Sequence, residues 1–291
     1  MKGRICAITG ASSGLGFETA LALARMDATV VLLCRSERRG AEASERIAAL
    51  TGKDDLHVVH CDHANLDTVR DAASVLLERF DALHVLVNNA GLMVMQRRIT
   101  VDGLEETFQV NHLSAFLLTA LLRERLAASA PARVVTVSSL AHHASSVRLD
   151  DLQGEQGYDG WHAYCRSKLC NLLFTYELAR RLEGSGVTAN ALHPGLVRTA
   201  FGRDNGTTGA LMRIAQLTPL AVSARHGART QAWLASAPEV ERVSGRYFHG
   251  RHERHSSRAS HNREAQRGLW AASDQLLAGQ AGESDQPLVA G

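Results

Sequence analysis

A doubly wound α/β fold, in which a mostly parallel sheet of seven strands is flanked by helices, is what the sequence predicts, on three observations. Short apolar runs alternate with amphipathic stretches along the chain, the pattern of parallel strands joined by helices. The runs are continuous rather than alternating, as in Val30-Val31-Leu32-Leu33, so their strands should be covered on both faces. Near the start, a glycine-containing turn leads from an apolar run, Ile5-Cys6-Ala7-Ile8, straight into a stretch with helical spacing from Phe17 to Ala24. Strands are expected near 3–9, 29–34, 56–61, 83–88, 132–138, 187–192 and 245–249. Helices are expected near 14–26, 37–51, 65–79, 103–128, 161–184, 224–236 and 262–278.

Composition narrows the function classes. The 291 residues suffice for one large α/β domain or two small ones, and 45% hydrophobic with 21% charged residues describes an ordinary globular chain. A net charge of +2, with no basic run interleaved with aromatics, gives no footprint for nucleic acid. Five cysteines, Cys6, Cys34, Cys61, Cys165 and Cys170, are an odd number without a C-x-x-C, and read as reduced, buried thiols of a cytoplasmic protein. Met1-Lys2-Gly3 runs directly into the first strand, so no signal peptide or membrane anchor is expected. No apolar stretch approaches the roughly 20 residues of a spanning helix. His249, His252 and His255 lie in an arginine-laden tract without H-E-x-x-H spacing or a carboxylate cluster, and no metal site is assigned there. The tract with Ser256, Ser257 and Ser260 reads as a solvated connection to a last helix around Leu269 and Trp270.

A doubly wound sheet binds its ligand at the carboxyl ends of its strands, so chemistry is sought there. The first strand ends in Thr9-Gly10-Ala11-Ser12-Ser13-Gly14-Leu15-Gly16, a G-x-x-x-G-x-G turn before a helix, where unpaired N–H groups and the helix dipole suit a phosphate. The second ends in Cys34-Arg35. A carboxylate there would receive the adenosine ribose of NAD, whereas a guanidinium pairs with a 2′-phosphate, so NADP(H) is favoured over NAD(H), with Glu37 as the contrary sign. After the third strand, Asp62 can accept from an adenine amino group or cap the next helix. The fourth ends in Asn88-Asn89-Ala90-Gly91, and the fifth in Ser138-Ser139. Asn111, inside an apolar helix, must be hydrogen-bonded; structural satisfaction and a proton relay explain it equally well. Tyr164 and Lys168, four apart on one helical face, place an ammonium where it can bias a phenol of ordinary pKa about 10 toward phenolate.

Taken together and in order, the Gly10–Gly16 turn, Asn88 to Gly91, Asn111, Ser139, Tyr164 with Lys168, and His193-Pro194-Gly195 resemble the short-chain dehydrogenase/reductase family over about residues 3–250. Within it, Val137 to His143, Ala163-Tyr164-Cys165 and Leu178 to Leu182 look most like the retinol dehydrogenase branch, and Thr9 to Gly16 also looks like protochlorophyllide reductases. The resemblance implies a Rossmann-type domain over 1–278 with a substrate lid over about 196–224, and the terminal residues 279–291 read as a disordered tail. It implies Tyr164 as proton donor or acceptor, Lys168 holding the nicotinamide ribose and lowering the tyrosine pKa, Ser139 bonding the reacting oxygen, and Asn111 holding a helix bend and a water. Gly10, Ser12, Ser13, Gly14, Leu15 and Gly16 would line the pyrophosphate, Arg35 the 2′-phosphate, and Asp62 and His63 the adenine. Asn89, Ala90 and Gly91 would flank the ribose, and Pro194, Gly195, Val197 and Thr199 would meet the nicotinamide amide.

The implied activity is an NADP(H)-dependent oxidoreductase acting on a small, fairly apolar ketone, aldehyde or secondary alcohol. Non-redox proton chemistry on the same site, or a non-catalytic NADP-binding regulator, are the competing readings. Retinol dehydrogenases typically carry an N-terminal anchor, which is not expected here. The long stretch between Ser139 and Tyr164 can cover the helix face that compact members use for tetramers, which points to a monomer or homodimer.

Overall fold

The computed structural model describes residues 1–198 and 222–280. Along the chain run β1 (Ile5–Thr9), α1 (Gly14–Ala24), β2 (Thr29–Cys34), α2 (Glu37–Thr51), β3 (Leu56–His60), α3 (Leu66–Arg79) and β4 (Val85–Asn88). A composite helix follows: α4 (Glu106–Phe108), a π-turn (Gln109–Leu113) and α5 (Ser114–Ala128). Next come β5 (Ala132–Val137), α6 (Gly160–Arg181), β6 (Val187–Leu192), the short β7 (Val197–Arg198) and β8 (Val222–Ser223), and α7 (Ala224–Ser236). The chain closes with β9 (Tyr247–His249), β10 (His252–Glu253) and α8 (Arg263–Ala278).

The main sheet has the order β3-β2-β1-β4-β5-β6-β9-β10. Seven strands pair in parallel, and β10 adds an antiparallel edge. Strand order reverses between β1 and β4, which opens a crevice at their carboxyl ends. Alternate residues of each strand feed two cores. Ala7, Val31 and Leu33 join Val69, Leu76, Leu117 and Leu173 on one face; Cys6, Ile8, Val30 and Leu32 join Phe17, Leu21, Ile47 and Leu234 on the other. Helices on both sides explain why the strand sequences are apolar without alternation.

The β10 edge was not expected. His249 pairs with His252 across Gly250 and Arg251, both at positive φ (59° and 68°), the geometry of a two-residue hairpin turn. Its residues are polar and exposed, so no apolar pattern marks it. The serine tract after it is a further correction: Ser256 and Ser260 are buried and bonded to one another, and Ser256 also meets the Tyr176 hydroxyl at 2.7 Å. From there α8 lays Trp270 against Phe116 and Phe174, so this segment is part of the core and not a solvated connection.

All five cysteines are buried free thiols. No helix among the described residues is long and apolar enough to cross a membrane. Of the expected lid only 196–198 and 222–224 are described; Thr199, and the expected tail beyond 280, lie outside the described residues.

Candidate active site

The glycine turn is built by close approach. Gly10 and Gly14 have φ of 65° and 58°, where an L side chain would be strained. A Cβ on Gly16 would lie 2.4 Å from the Gly10 carbonyl oxygen and 2.7 Å from Asn89 Nδ2, so α1 can start this close to β1 and β4 only with glycine there. Ser13, extended at φ −164°, precedes α1 without capping it by its side chain, and the first-turn N–H groups of Gly14, Leu15 and Gly16 have no intrahelical acceptor. Thr9 ties this turn to the end of β4. Its Oγ1 accepts from the N–H groups of Asn89 and Ala90, both at 2.9 Å, while Asn89 Nδ2 donates to the Thr9 carbonyl at 2.8 Å.

Asn111 sits in the π-turn, where the helix ladder is interrupted. Its Oδ1 accepts from Leu92 N–H at 2.7 Å and its Nδ2 donates to the Leu92 carbonyl at 2.8 Å and to Ser167 Oγ at 2.8 Å. The amide thus satisfies the loop after β4 and touches α6 at once, which accounts for a buried polar residue in an apolar helix. A Cβ on Gly91 would sit 3.2 Å from both Asn111 Oδ1 and Lys168 Nζ, which shows how closely the β4 end faces these groups.

Tyr164, Ser167 and Lys168 project from α6. Lys168 Nζ donates to the Val137 carbonyl at 3.2 Å, beside Asn171 Nδ2, which donates to the same oxygen at 3.1 Å. Ser138 Oγ donates to the Lys168 carbonyl at 2.7 Å, so the first serine of the pair locks α6 to β5. The second, Ser139, is free of that duty and hydrogen-bonds the Tyr164 side chain. Lys168 Nζ lies 5.7 Å from the centroid of the Tyr164 ring. Burial pushes the phenol up to about 12, against the pull of the Ser139 bond, and burial brings the Lys168 ammonium down to about 8. Desolvation dominates both groups, so the phenol is raised where the spacing to Lys168 led to the expectation of a lowering.

The remaining expected residues divide. Pro194, Gly195 and Val197 follow β6 and run under α7, where a Cβ on Gly227 would be 2.7 Å from Leu15 Cδ2, 2.9 Å from Val197 Cγ2 and 3.1 Å from the Pro194 carbonyl oxygen. Arg35 stands exposed at the end of β2, after which Ser36 caps α2. Asp62 accepts from Ala64 N–H at 3.1 Å, while Asn65 is the N-cap of α3, so the capping alternative for Asp62 falls away. His63 is buried: its ring meets Ser114 Oγ at 2.8 Å and Cys61 Sγ at 3.8 Å, and burial lowers it to about 4. That side chain is spent on packing α3 to α5, which leaves only its main chain for a ligand. Among the described residues no group of three or more His, Cys, Asp or Glu side chains could hold a metal ion.

Sequence reasoning named Thr9 and Ser138 only as strand-end residues, without their framework bonds, and missed Gly227 and Gln231 altogether. Gln231 Nε2 donates to Asn89 Oδ1 at 3.3 Å and its Oε1 accepts from Thr19 at 3.0 Å, which joins α7, α1 and β4. A small residue and an amide four apart on a helix, Gly227 and Gln231, were the available signal.

A glycine cradle at a helix start, with a serine, a tyrosine and a lysine meeting at the neighbouring strand ends, defines a nucleotide-dependent dehydrogenase site. Comparison with known proteins agrees: the family model "short chain dehydrogenase" matches residues 4–209. The chain is 41% identical to human retinol dehydrogenase 13 over 294 residues (99% of this chain, 89% of that one) and 43% identical to human retinol dehydrogenase 12 over 278 residues (95% and 87%). A crystal structure of a protein from Mycobacterium paratuberculosis is similar with TM-score 0.76 at 35% identity, covering 95% of this chain and 94% of that one. The chain belongs to the short-chain dehydrogenase family, in its retinol dehydrogenase-like branch. As a member it is an oxidoreductase of alcohol and carbonyl groups that works with a nicotinamide dinucleotide.

Proposed function

We propose that the protein is an NADP(H)-dependent oxidoreductase of fairly apolar ketones, aldehydes or secondary alcohols, with Tyr164 as the acid–base group. The observation that carries this reading is the meeting of Ser139, Tyr164 and Lys168 beside the glycine cradle. When bound, the dinucleotide supplies or takes the hydride. The chain's own residues do the rest. Ser12, Ser13, Gly14, Leu15 and Gly16 hold the pyrophosphate, the residues at the start of α1 through main-chain N–H groups, while Gly10, whose own N–H donates to the Leu33 carbonyl at 2.9 Å, turns the chain so that the phosphate can approach. Asn89, Ala90, Gly91 and Lys168 hold a ribose, Asp62 and the His63 main chain the adenine, and Pro194, Gly195, Val197 and Thr199 the amide. In reduction, Tyr164 donates its proton to the carbonyl oxygen as negative charge grows there, and Ser139 hydrogen-bonds the same oxygen. The Lys168 ammonium then faces the phenolate that remains, and Asn111 would hold the helix bend and a water that links Lys168 to solvent.

Arg35 supports NADP(H), because no carboxylate stands at the β2 end. Glu37, the contrary sign, is the first residue of α2, where the helix dipole gives its charge a structural reason. Exposed Leu140, Trp161 and Leu196, each within three residues of Ser139, Tyr164 or Pro194, support an apolar substrate. The alcohol named in the human relatives fits that character. The long stretch before α6 packs Leu149 against α8, where a Cβ on Gly268 would meet it at 2.4 Å, and is tied to α6 by Arg166, which donates to the Asp151 carbonyl at 3.0 Å; this packing of the stretch beside α6 supports a monomer or homodimer.

Turnover of an apolar ketone panel with NADPH and with NADH, in wild type and Tyr164→Phe, tests the reading. NADPH should be preferred, and the variant should lose about 10²–10⁴-fold in kcat while NADPH affinity changes little. An unimpaired variant overturns the role of Tyr164; product without change in nicotinamide absorbance would point to non-redox chemistry.

A further inference from the structure

His142 lies in the one-turn 3-10 helix Leu140–Ala144, which Ser139 caps by accepting from Ala141 N–H at 3.2 Å. The imidazole is wholly buried, and both ring nitrogens are engaged. The N–H of Ser257 donates to Nε2 at 3.0 Å, so that nitrogen carries the lone pair. Nδ1 then bears the hydrogen and donates it to the Ser139 carbonyl. Tyr247 of β9 meets the ring edge-on, with centroids 5.2 Å apart at 78°. Any buried histidine needs partners. What distinguishes this one is their identity: one is the residue whose hydroxyl meets Tyr164, and the other stands 115 positions further on, in the segment leading to α8. Burial also lowers His142 to about 4, so the ring stays neutral and this bonding pattern holds at working pH.

We infer that His142 is a positioning residue: its two hydrogen bonds clamp the turn of Ser139 to the C-terminal segment at Ser257 and so direct the Ser139 hydroxyl to the reacting oxygen. The inference rests on the function proposed above, in which Ser139 holds that oxygen. It makes the buried serine segment before α8 a part of the catalytic framework, although it touches no reacting group.

The test compares kcat and KM, with NADPH and a ketone, in wild type, His142→Phe, His142→Asn, Ser257→Pro, Ser139→Ala and the Ser139→Ala/His142→Phe double variant. Phenylalanine keeps a ring and removes both bonds, while asparagine restores an N–H near the Nδ1 position. Proline at 257 removes the main-chain donor to Nε2 together with a buried hydroxyl that has no hydrogen-bond partner among the described residues, and the φ of −61° at Ser257 accommodates it. His142→Phe should lower kcat by about 10–100-fold with KM for NADPH within about twofold, the loss expected for a misplaced catalytic group. His142→Asn should regain most of it, and Ser257→Pro, which leaves the buried imidazole in place and whose folding is checked by circular dichroism, should lose a few-fold. In the Ser139→Ala background His142→Phe should cost less than about twofold more, because the two act through one group. Full kcat in both His142→Phe and Ser257→Pro, no rescue by asparagine, or an undiminished further loss in the Ser139→Ala background overturns the inference. Should Ser139→Ala itself be fully active, the proposed role of Ser139 fails and the inference fails with it, a result separable from the others by that one variant.

Discussion

Lys168 carries its ammonium into a site where 3% of the residue is exposed and burial brings its pKa from 10.5 to about 8. The sign of the linkage follows. Between about pH 8 and 10.5 the unfolded chain binds the extra proton at Lys168, so the contribution of this one group to stability rises with pH across that window, and below pH 8 the cost of its buried charge is fully present. The depression corresponds to at most about 3 kcal/mol. Lys168→Met should therefore be more stable than wild type by about 1–3 kcal/mol at pH 7 in urea unfolding, with the gain shrinking toward pH 10.5, and should lose turnover. A variant less stable at pH 7 would show that the bond to Val137 outweighs desolvation. At this scale the sequence told which groups meet but not their charge states. The i, i+4 spacing of Tyr164 and Lys168 follows from helix geometry alone, whereas their pKa values follow from what the rest of the fold lays over them.

Helix α7 shows how an element far along the chain completes a site begun at its start. Gly227 allows it to rest on Leu15, Pro194 and Val197, and Gln231 ties it to Asn89 and Thr19. Gly227→Ala puts a methyl within 3.1 Å of three neighbours, one of them main chain. The expected result is a loss of about 1–3 kcal/mol of stability from overpacking, together with weaker dinucleotide binding in fluorescence titration. Unchanged binding would separate α7 from the cradle. Strands β1 to β6 and β9 and their helices were legible because continuous apolar runs mark strands covered on both faces. The π-turn at Asn111 was legible as a polar residue in need of partners and, through the family resemblance, as a helix bend, but not in its form. Its form depends on Leu92 and Ser167, which sit 19 and 56 residues away.

Four histidines, His63, His112, His142 and His193, are buried in different parts of the molecule, and burial lowers them to about 4, 3, 4 and 3. Each is neutral in the fold and charges freely near its ordinary value of 6.5 once unfolded. Their contribution to stability is thus fully present above pH 6.5 and is lost as pH falls from 6.5 toward 4 and 3, by up to about 1.4 kcal/mol per pH unit for each. The whole fold should weaken together over this range, with the urea midpoint dropping steeply below pH 6 by circular dichroism. A midpoint flat from pH 7 to 4.5 would contradict this. Because His112 meets Ser273 of α8 at 3.0 Å and His142 meets Ser257, acid should release the C-terminal segment along with the sheet.

Local rules determined much of this protein before any coordinates. Period and apolarity set the parallel sheet, glycine spacing set the turn at β1, and residue type at each strand end set the chemistry sought there. Only the tertiary structure decided that His63 turns into the core, that Ser256 and Ser260 are buried, that α7 closes on the glycine turn, and that desolvation governs Tyr164 and Lys168. The reason is physical. Backbone geometry and hydrophobic patterning act over a few residues and can be read in order, whereas burial, solvation and hydrogen-bond partnership are settled by segments that meet across a hundred residues or more.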